Sequence, residues 1–149
     1  MPALERNEYA WNRLAYIELS GVKLPIRCDM LVLEKIQEDY GDISEFENKL
    51  IGFEPIYNED GSAKTNENGK SIGKSTLPDI KTVHYGLWEF IKEGIECSAQ
   101  ETKYSEKDLI RMVDISIGEL SDLLHEEFMR CFKRKNQNPT QKETKEKTP

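Results

Sequence analysis

An α+β fold, a mainly helical single domain opened by an N-terminal β-hairpin, is what the residue pattern of this chain implies. Three features lead there. Residues 13–19 alternate loosely around Tyr16 and Ile17, meet Ser20-Gly21 and return through 22–28, the pattern of two strands joined by a tight turn. Several downstream stretches repeat apolar residues at three- and four-residue steps, the spacing of helices with one buried face. Finally, 149 residues, 37% apolar and 33% charged, can bury about two-thirds of their unfolded surface in one domain, with no room for a second full one.

The elements follow in order. The hairpin needs another surface to be stable, and Pro25, which donates no ladder hydrogen bond, belongs on an edge or at an outward-facing position. Asp29 suits the cap of a helix in which Met30, Leu33, Ile36, Gln37 and Tyr40 share a face, and Gly41 supplies the stop. Ser44-Glu-Phe-Glu47 reads as a capping box opening a second helix, with Phe46, Leu50 and Ile51 inward and Gly52 at its end. Residues 54–76 hold the turn formers Asn58-Glu-Asp-Gly61 and Asn66-Glu-Asn-Gly69 among few apolar residues, so a protruding hairpin or mobile loop is expected, a candidate contact arm. Leu77-Pro78-Asp79 starts the strongest helix, with Ile80, Val83, His84, Leu87, Trp88 and Ile91 as its stripe and Gly94 as its end. Ser105-Glu-Lys-Asp108 opens another, where Leu109, Met112 and Val113 face inward. After a break near 114–116, the last helix carries Ile117, Leu120, Leu124, Phe128 and Phe132. No internal repeat is read along the chain. The globular domain is expected over 1–132, with 133–149 as a charged, disordered tail.

Charge limits the partners. The net charge is −7, and residues 133–149 carry six Lys/Arg against two Glu, so the body before them is strongly acidic. An acidic body argues against general nucleic-acid binding, which needs a basic face. No stretch is apolar enough to span a bilayer, and Met1-Pro-Ala-Leu-Glu-Arg-Asn-Glu-Tyr9 is too polar and acidic for a signal peptide. A cytoplasmic location with reduced thiols is therefore expected.

Motifs for chemistry fail on inspection. Cys28, Cys97 and Cys131 are isolated, and His84 and His125 lie far from a zinc spacing, so no metal is expected and no Cys/His nucleophile pair is read. Asn58-x-Asp60-x-Ser62 begins like a calcium loop, but Ala63 stands where Gly is required and Gly69 where the bidentate Glu belongs. Gly73-Lys74-Ser75 ends like a phosphate loop, yet Asn68 replaces the earlier Gly and no apolar strand precedes it. The adjacent carboxylates Glu38-Asp39 and Glu126-Glu127 point about 100° apart on a helix and form no facing acid/base pair. Trp11, Tyr16, Tyr40 and Trp88 lack interleaved Lys/Arg and suit a core better than a base-stacking platform. No catalytic residue and no cofactor are assigned.

The segment order resembles the tail assembly chaperones of long-tailed bacteriophages and related prophages. The resemblance rests on Ile17-Glu-Leu-Ser-Gly-Val-Lys-Leu-Pro-Ile-Arg-Cys-Asp29, Leu31-Val-Leu-Glu-Lys-Ile-Gln-Glu-Asp-Tyr-Gly41, Leu77-Pro-Asp-Ile-Lys-Thr-Val-His-Tyr-Gly-Leu-Trp-Glu-Phe-Ile-Lys-Glu-Gly94 and Tyr104-Ser-Glu-Lys-Asp-Leu-Ile-Arg-Met-Val113. It is a match of pattern covering most of the chain between Tyr16 and Phe132. It implies a small helical protein in the cytoplasm of a bacterial host that binds the tape measure protein, keeps it soluble and helps recruit tail tube protein. The family is often made in a short form and a frameshifted longer one. This chain departs by its insertion at 54–76, and whether it has a longer form stays open.

The resemblance carries over no catalytic residue. A face of the last helix formed by Leu120, Leu124 and Phe128 is the expected contact with the client or with a second copy in a homo-oligomer; the alternative is that these three close the core. An adaptor or regulatory protein-binding module of a mobile element is the rival reading, and a small enzyme gathering His84 or His125 with carboxylates is another. Substituting Asp for Leu87 is expected to unfold the domain, because a charge enters the core of the main helix. A native-like melting curve for that variant would refute this placement of the core.

Overall fold

The computed structural model describes residues 13–133, without the side chain of Lys133. Strand β1 (Ala15–Leu19) pairs antiparallel with β2 (Val22–Ile26), and the helices are α1 (Met30–Tyr40), α2 (Ile43–Ile51), α3 (Ile80–Ser98), α4 (Glu106–Arg111) and α5 (Ile117–Lys133). A second hairpin, β3 (Phe53–Pro55) with β4 (Gly73–Ser75), stands between α2 and α3. The fold is α+β, one compact domain built around α3, as the sequence pattern implies. Trp11 and all of the tail expected at 133–149 except Lys133 lie outside the described residues; Lys133 itself still belongs to α5.

The first hairpin follows from period two. Ile17 pairs with Leu24, and Ala15 with Ile26, so one face buries Ile17, Leu19, Leu24 and Ile26 while Tyr16, Glu18 and Lys23 stay exposed. Ser20 and Gly21 turn the chain with φ of 50° and 79°, the two positive values of a type I′ turn whose twist matches the strands. Pro25 is at an edge, as expected, but that edge is covered. Its carbonyl oxygen would lie 2.4 Å from a Cβ on Gly94 of α3, and the N–H of Arg27 donates to the Phe90 carbonyl at 2.9 Å. The strand therefore rests backbone-on-backbone against the helix.

That contact explains why Gly94 does not end α3. The helix continues to Ser98 and is capped by Ala99 with φ 59°; Gly94 sits inside it because no side chain fits there. At the other end Asp79 caps, accepting from the N–H of Thr82 at 3.1 Å and from its hydroxyl at 2.8 Å. Thr82, Val83, Gly86, Leu87, Phe90 and Ile91 are buried, while Ile80, expected inside, is 62% exposed.

Around α3 the other helices close the core. Asp29 caps α1 as expected and Gly41 ends it, its N–H donating to the Gln37 carbonyl at 2.8 Å. The buried face uses Val32 and Ile36, not Met30. In α2 the cap is Asp42, which accepts from Ser44 N–H at 2.9 Å, so the capping box expected at Ser44 is not formed; Phe46 and Leu50 are buried and Ile51 is not. The capping box on α4 is present, Ser105 and Asp108 each accepting from the other's N–H. Rings link α1 to α3 and α2 edge to face, Tyr40 with Tyr85 at 5.2 Å and with Phe46 at 5.3 Å, and along α5 Phe128 meets Phe132 at 5.0 Å.

Residues 54–76 form an arm with regular internal structure. Isolated bridges join Tyr57 to Ala63 and Thr65 to Ser71, and each loop turns on the same Asn-Glu-x-Gly unit, Gly61 donating to the Asn58 carbonyl and Gly69 to that of Asn66, both at 3.0 Å. The units are an eight-residue repeat that the sequence reading missed. Between them a cycle of three backbone bonds closes: Ile56 donates to Ile72, Ile72 to Lys64 and Lys64 to Ile56, at 2.9, 2.9 and 2.8 Å. Asp60 accepts from both the N–H and the hydroxyl of Ser62, a local turn that accounts for the calcium-like spacing.

Two glycines give opposite expectations. Gly94→Ala should cost about 2 kcal/mol or more, since its Cβ meets the Pro25 carbonyl and overpacking outweighs the helix-propensity gain. Gly118→Ala, with nothing within 4 Å of the added Cβ, should stabilise by about 0.5–1 kcal/mol. Urea unfolding of both variants checks the pair; equal effects would contradict this packing.

Candidate functional site

The polar residues that this fold brings together sit where the first hairpin hands over to α1. Arg27, Cys28 and Asp29 follow β2, and the close approach of that strand to α3 places them beside Glu93 and Cys97. Arg27 Nε donates to Asp29 Oδ2 at 2.8 Å, with side chains only 8% and 14% exposed. Asp29 also caps α1 and hydrogen-bonds Glu93, which accepts from the Cys97 thiol at 3.6 Å. From the far side, Glu127 of α5 accepts the Cys28 N–H at 2.9 Å and pairs with Arg130 at 2.9 Å.

Proton affinities follow these contacts. Burial pulls Asp29 upward, but hydrogen bonds to Glu93 and Arg27 outweigh it and hold the carboxyl below its ordinary value. Glu93 is pushed up to about 7, first by its hydrogen bond to Asp29 and then by burial. Below about pH 7 the two carboxyls thus share one proton. Burial, followed by the charge of Glu93, raises the Cys97 thiol to about 11.

Donor atoms of Asp29, Glu93 and Cys97 lie within 4.8 Å of one another, a grouping that can hold a metal ion. Arg27 and the shared proton already serve these donors, so a divalent cation would have to displace both.

Two of the open clefts each carry more than one exposed apolar side chain. One, of about 540 Å³, lies between the start of α1 and the end of α5 and is lined by Arg27, Asp29, Met30, Leu31, Leu33, Cys131 and Phe132. Met30, Leu31 and Phe132 are 73%, 65% and 47% exposed. The other, of similar size, lies at the base of the arm, where Phe53, Tyr57, Leu77 and Ile80 meet Glu45 and Lys49. They share no lining residue.

Leu120, Leu124 and Phe128, expected as a contact face, are 3%, 0% and 1% exposed. They fill the core under α2 and α3, and Phe128 stands 5.6 Å from the Phe46 ring. Accessible apolar surface is instead found at Met30, Leu31 and Phe132; Met30 and Phe132 belong to the stripes expected inward but lie at the ends of their helices, and Leu31 lies beside the α1 stripe. The histidines do not converge. His84 pairs with Glu106 at 2.5 Å and His125 with Glu47 at 2.8 Å, and neither lines the two clefts.

No helix among the described residues is long and apolar enough to cross a membrane. Comparison with protein-family models, with curated proteins and with solved structures found no match.

The proton shared by Asp29 and Glu93 sets a pH dependence. Glu93 has a higher pKa folded than unfolded, so its contribution to stability is complete below about pH 4.5 and is lost as pH rises through about 7. Between pH 5 and 8 the chain should lose on the order of 1–2 kcal/mol through this group, after allowance for solvent screening. Glu93→Gln, which cannot ionise, should flatten that slope in urea titrations; an unchanged slope would assign it elsewhere.

Proposed function

We propose that this chain is a non-enzymatic assembly chaperone of the kind that long-tailed phages and prophages use. It binds the tape measure protein as a helical client and helps recruit tail tube protein. The observation that carries this reading is the apolar cleft between α1 and α5. Met30, Leu31 and Phe132 are exposed there, while the walls are fixed by a buried polar network and an aromatic core. A fixed groove with an apolar rim suits the apolar stripe of an amphipathic helix, whose residues at three- and four-residue steps fill it. The order of hairpin, short helix, long helix and the further segment Tyr104 to Val113, which the resemblance rests on, supports the same reading.

The rival, an adaptor for one folded protein, fits a single compact apolar site. Two separate clefts with exposed apolar side chains favour a client that runs across more than one place on the surface, as a long helical protein does.

Co-expression with a tape measure protein, the long helical client that the reading calls for, followed by size-exclusion chromatography with light scattering, tests the proposal. A soluble complex with a defined stoichiometry is expected, and Leu31→Glu should abolish it while changing stability by no more than about 0.5 kcal/mol, as for other exposed positions. A client that precipitates beside a monodisperse chain would turn the reading to the adaptor.

A further inference from the structure

Cys28 and Cys131 meet at the seam between the first hairpin and the last helix, and separate observations fix that meeting. The N–H of Cys28 donates to Glu127 Oε2 at 2.9 Å; Cys131 is four residues further along α5, one turn on the same face of the helix. Cys131 lines the cleft that Arg27 and Asp29 also line, and these two flank Cys28 in the chain. The two thiols are hydrogen-bonded to each other. Cys28 is fully buried, whereas Cys131 is half-buried on the cleft wall. Cys97 is engaged elsewhere, with Glu93.

We propose that Cys28 and Cys131 are a modification site, forming an intramolecular disulfide by exchange with a small-molecule disulfide such as oxidised glutathione. Cys131, the accessible member, loses its proton to solvent and attacks one sulfur of the small disulfide. That S–S bond breaks, and one small thiolate leaves and takes up a proton. Cys28 then loses its proton, attacks the Cys131 sulfur and expels the second small thiol. Two protein thiols are oxidised by two electrons in total, and one small disulfide is reduced to two thiols.

The environment shapes the rate and the persistence of the bond. The hydrogen bond to Cys131, burial and the nearby carboxylates of Glu127 and Asp29 hold the Cys28 thiol protonated, so the second step is slow. The same surroundings give the reduced pair no stabilised thiolate, and a dithiol without one yields a disulfide that resists reduction. The bond closes a loop of about a hundred residues and ties the strand end to α5, which removes much entropy from the unfolded chain. This inference goes beyond the chaperone reading and does not rest on it.

The test incubates the folded full chain with oxidised glutathione and reads intact mass, cysteine-peptide mapping and thermal melting, with Cys97→Ser and Cys131→Ser alongside. The chain and Cys97→Ser should each lose two hydrogens, yield a Cys28–Cys131 linked peptide and melt about 10 °C higher. Dithiothreitol should reverse both changes, and Cys131→Ser should show neither. A stable glutathione adduct on Cys131 with Cys28 still open to alkylation on unfolding would overturn the proposal. So would a link through Cys97, a covalent dimer, or no reaction at equilibrium.

Discussion

A strand backbone laid directly on a helix backbone, at Pro25 against Gly94, governs the arrangement of this domain. A two-stranded hairpin has too little surface to stand alone. Here it gains a partner by pressing its free edge where α3 offers no side chain, and the Arg27 N–H finds the Phe90 carbonyl. From that contact the chain leaves β2 in a fixed direction, so Asp29 arrives where it both caps α1 and meets Glu93, and Cys28 points its N–H at Glu127 of α5. One close approach thereby sets the positions of three helices relative to the hairpin.

Apolar and polar packing divide the labour. On one side of α3, Leu87, Phe90 and Ile91 join Phe46, Leu124 and Phe128 in a core whose members are all nearly inaccessible. On the other, near the β2 exit, ionisable groups are buried in mutually satisfied contacts. Such a network adds little net stability, because desolvation offsets the attraction, yet removing one member leaves a buried group without its partner. Its geometric effect is to hold the start of α1 and the end of α5 at a fixed spacing, and the cleft between them keeps its shape.

Much of this architecture was legible in the residues. Period two gave the first hairpin, helical spacing gave the cores of α3 and α5, and Asp29, Gly41 and Ser105 were readable as punctuation because capping is local. Local rules failed where a distant element decides. Gly94 looks like a helix stop until the strand crossing it is known, and Ser44 looks like a cap although Asp42, two residues earlier, has the backbone geometry for the role. Met30 and Ile80 sit on apolar stripes, but both lie in first turns that extend past the edge of the core. The Arg27–Asp29–Glu93–Cys97 cluster was not legible as one site, since its two local pairs, Arg27 with Asp29 and Glu93 with Cys97, are far apart in the chain and only the topology joins them. The eight-residue repeat of the arm was visible as two Asn-Glu-x-Gly units, and was passed over because each unit also reads as an ordinary turn.

The arm has a consequence for how this domain can change over time. Its two ends are clamped together, Thr76 donating to the Gly52 carbonyl at 2.6 Å and Asp79 to that of Lys49 at 2.9 Å, and its own backbone bonds close on themselves. Nothing beyond the clamp has to keep its length for α2 and α3 to remain in place. The arm is therefore a port: units of the same eight-residue type can be gained, lost or exchanged for foreign sequence while the helical body stays unaltered.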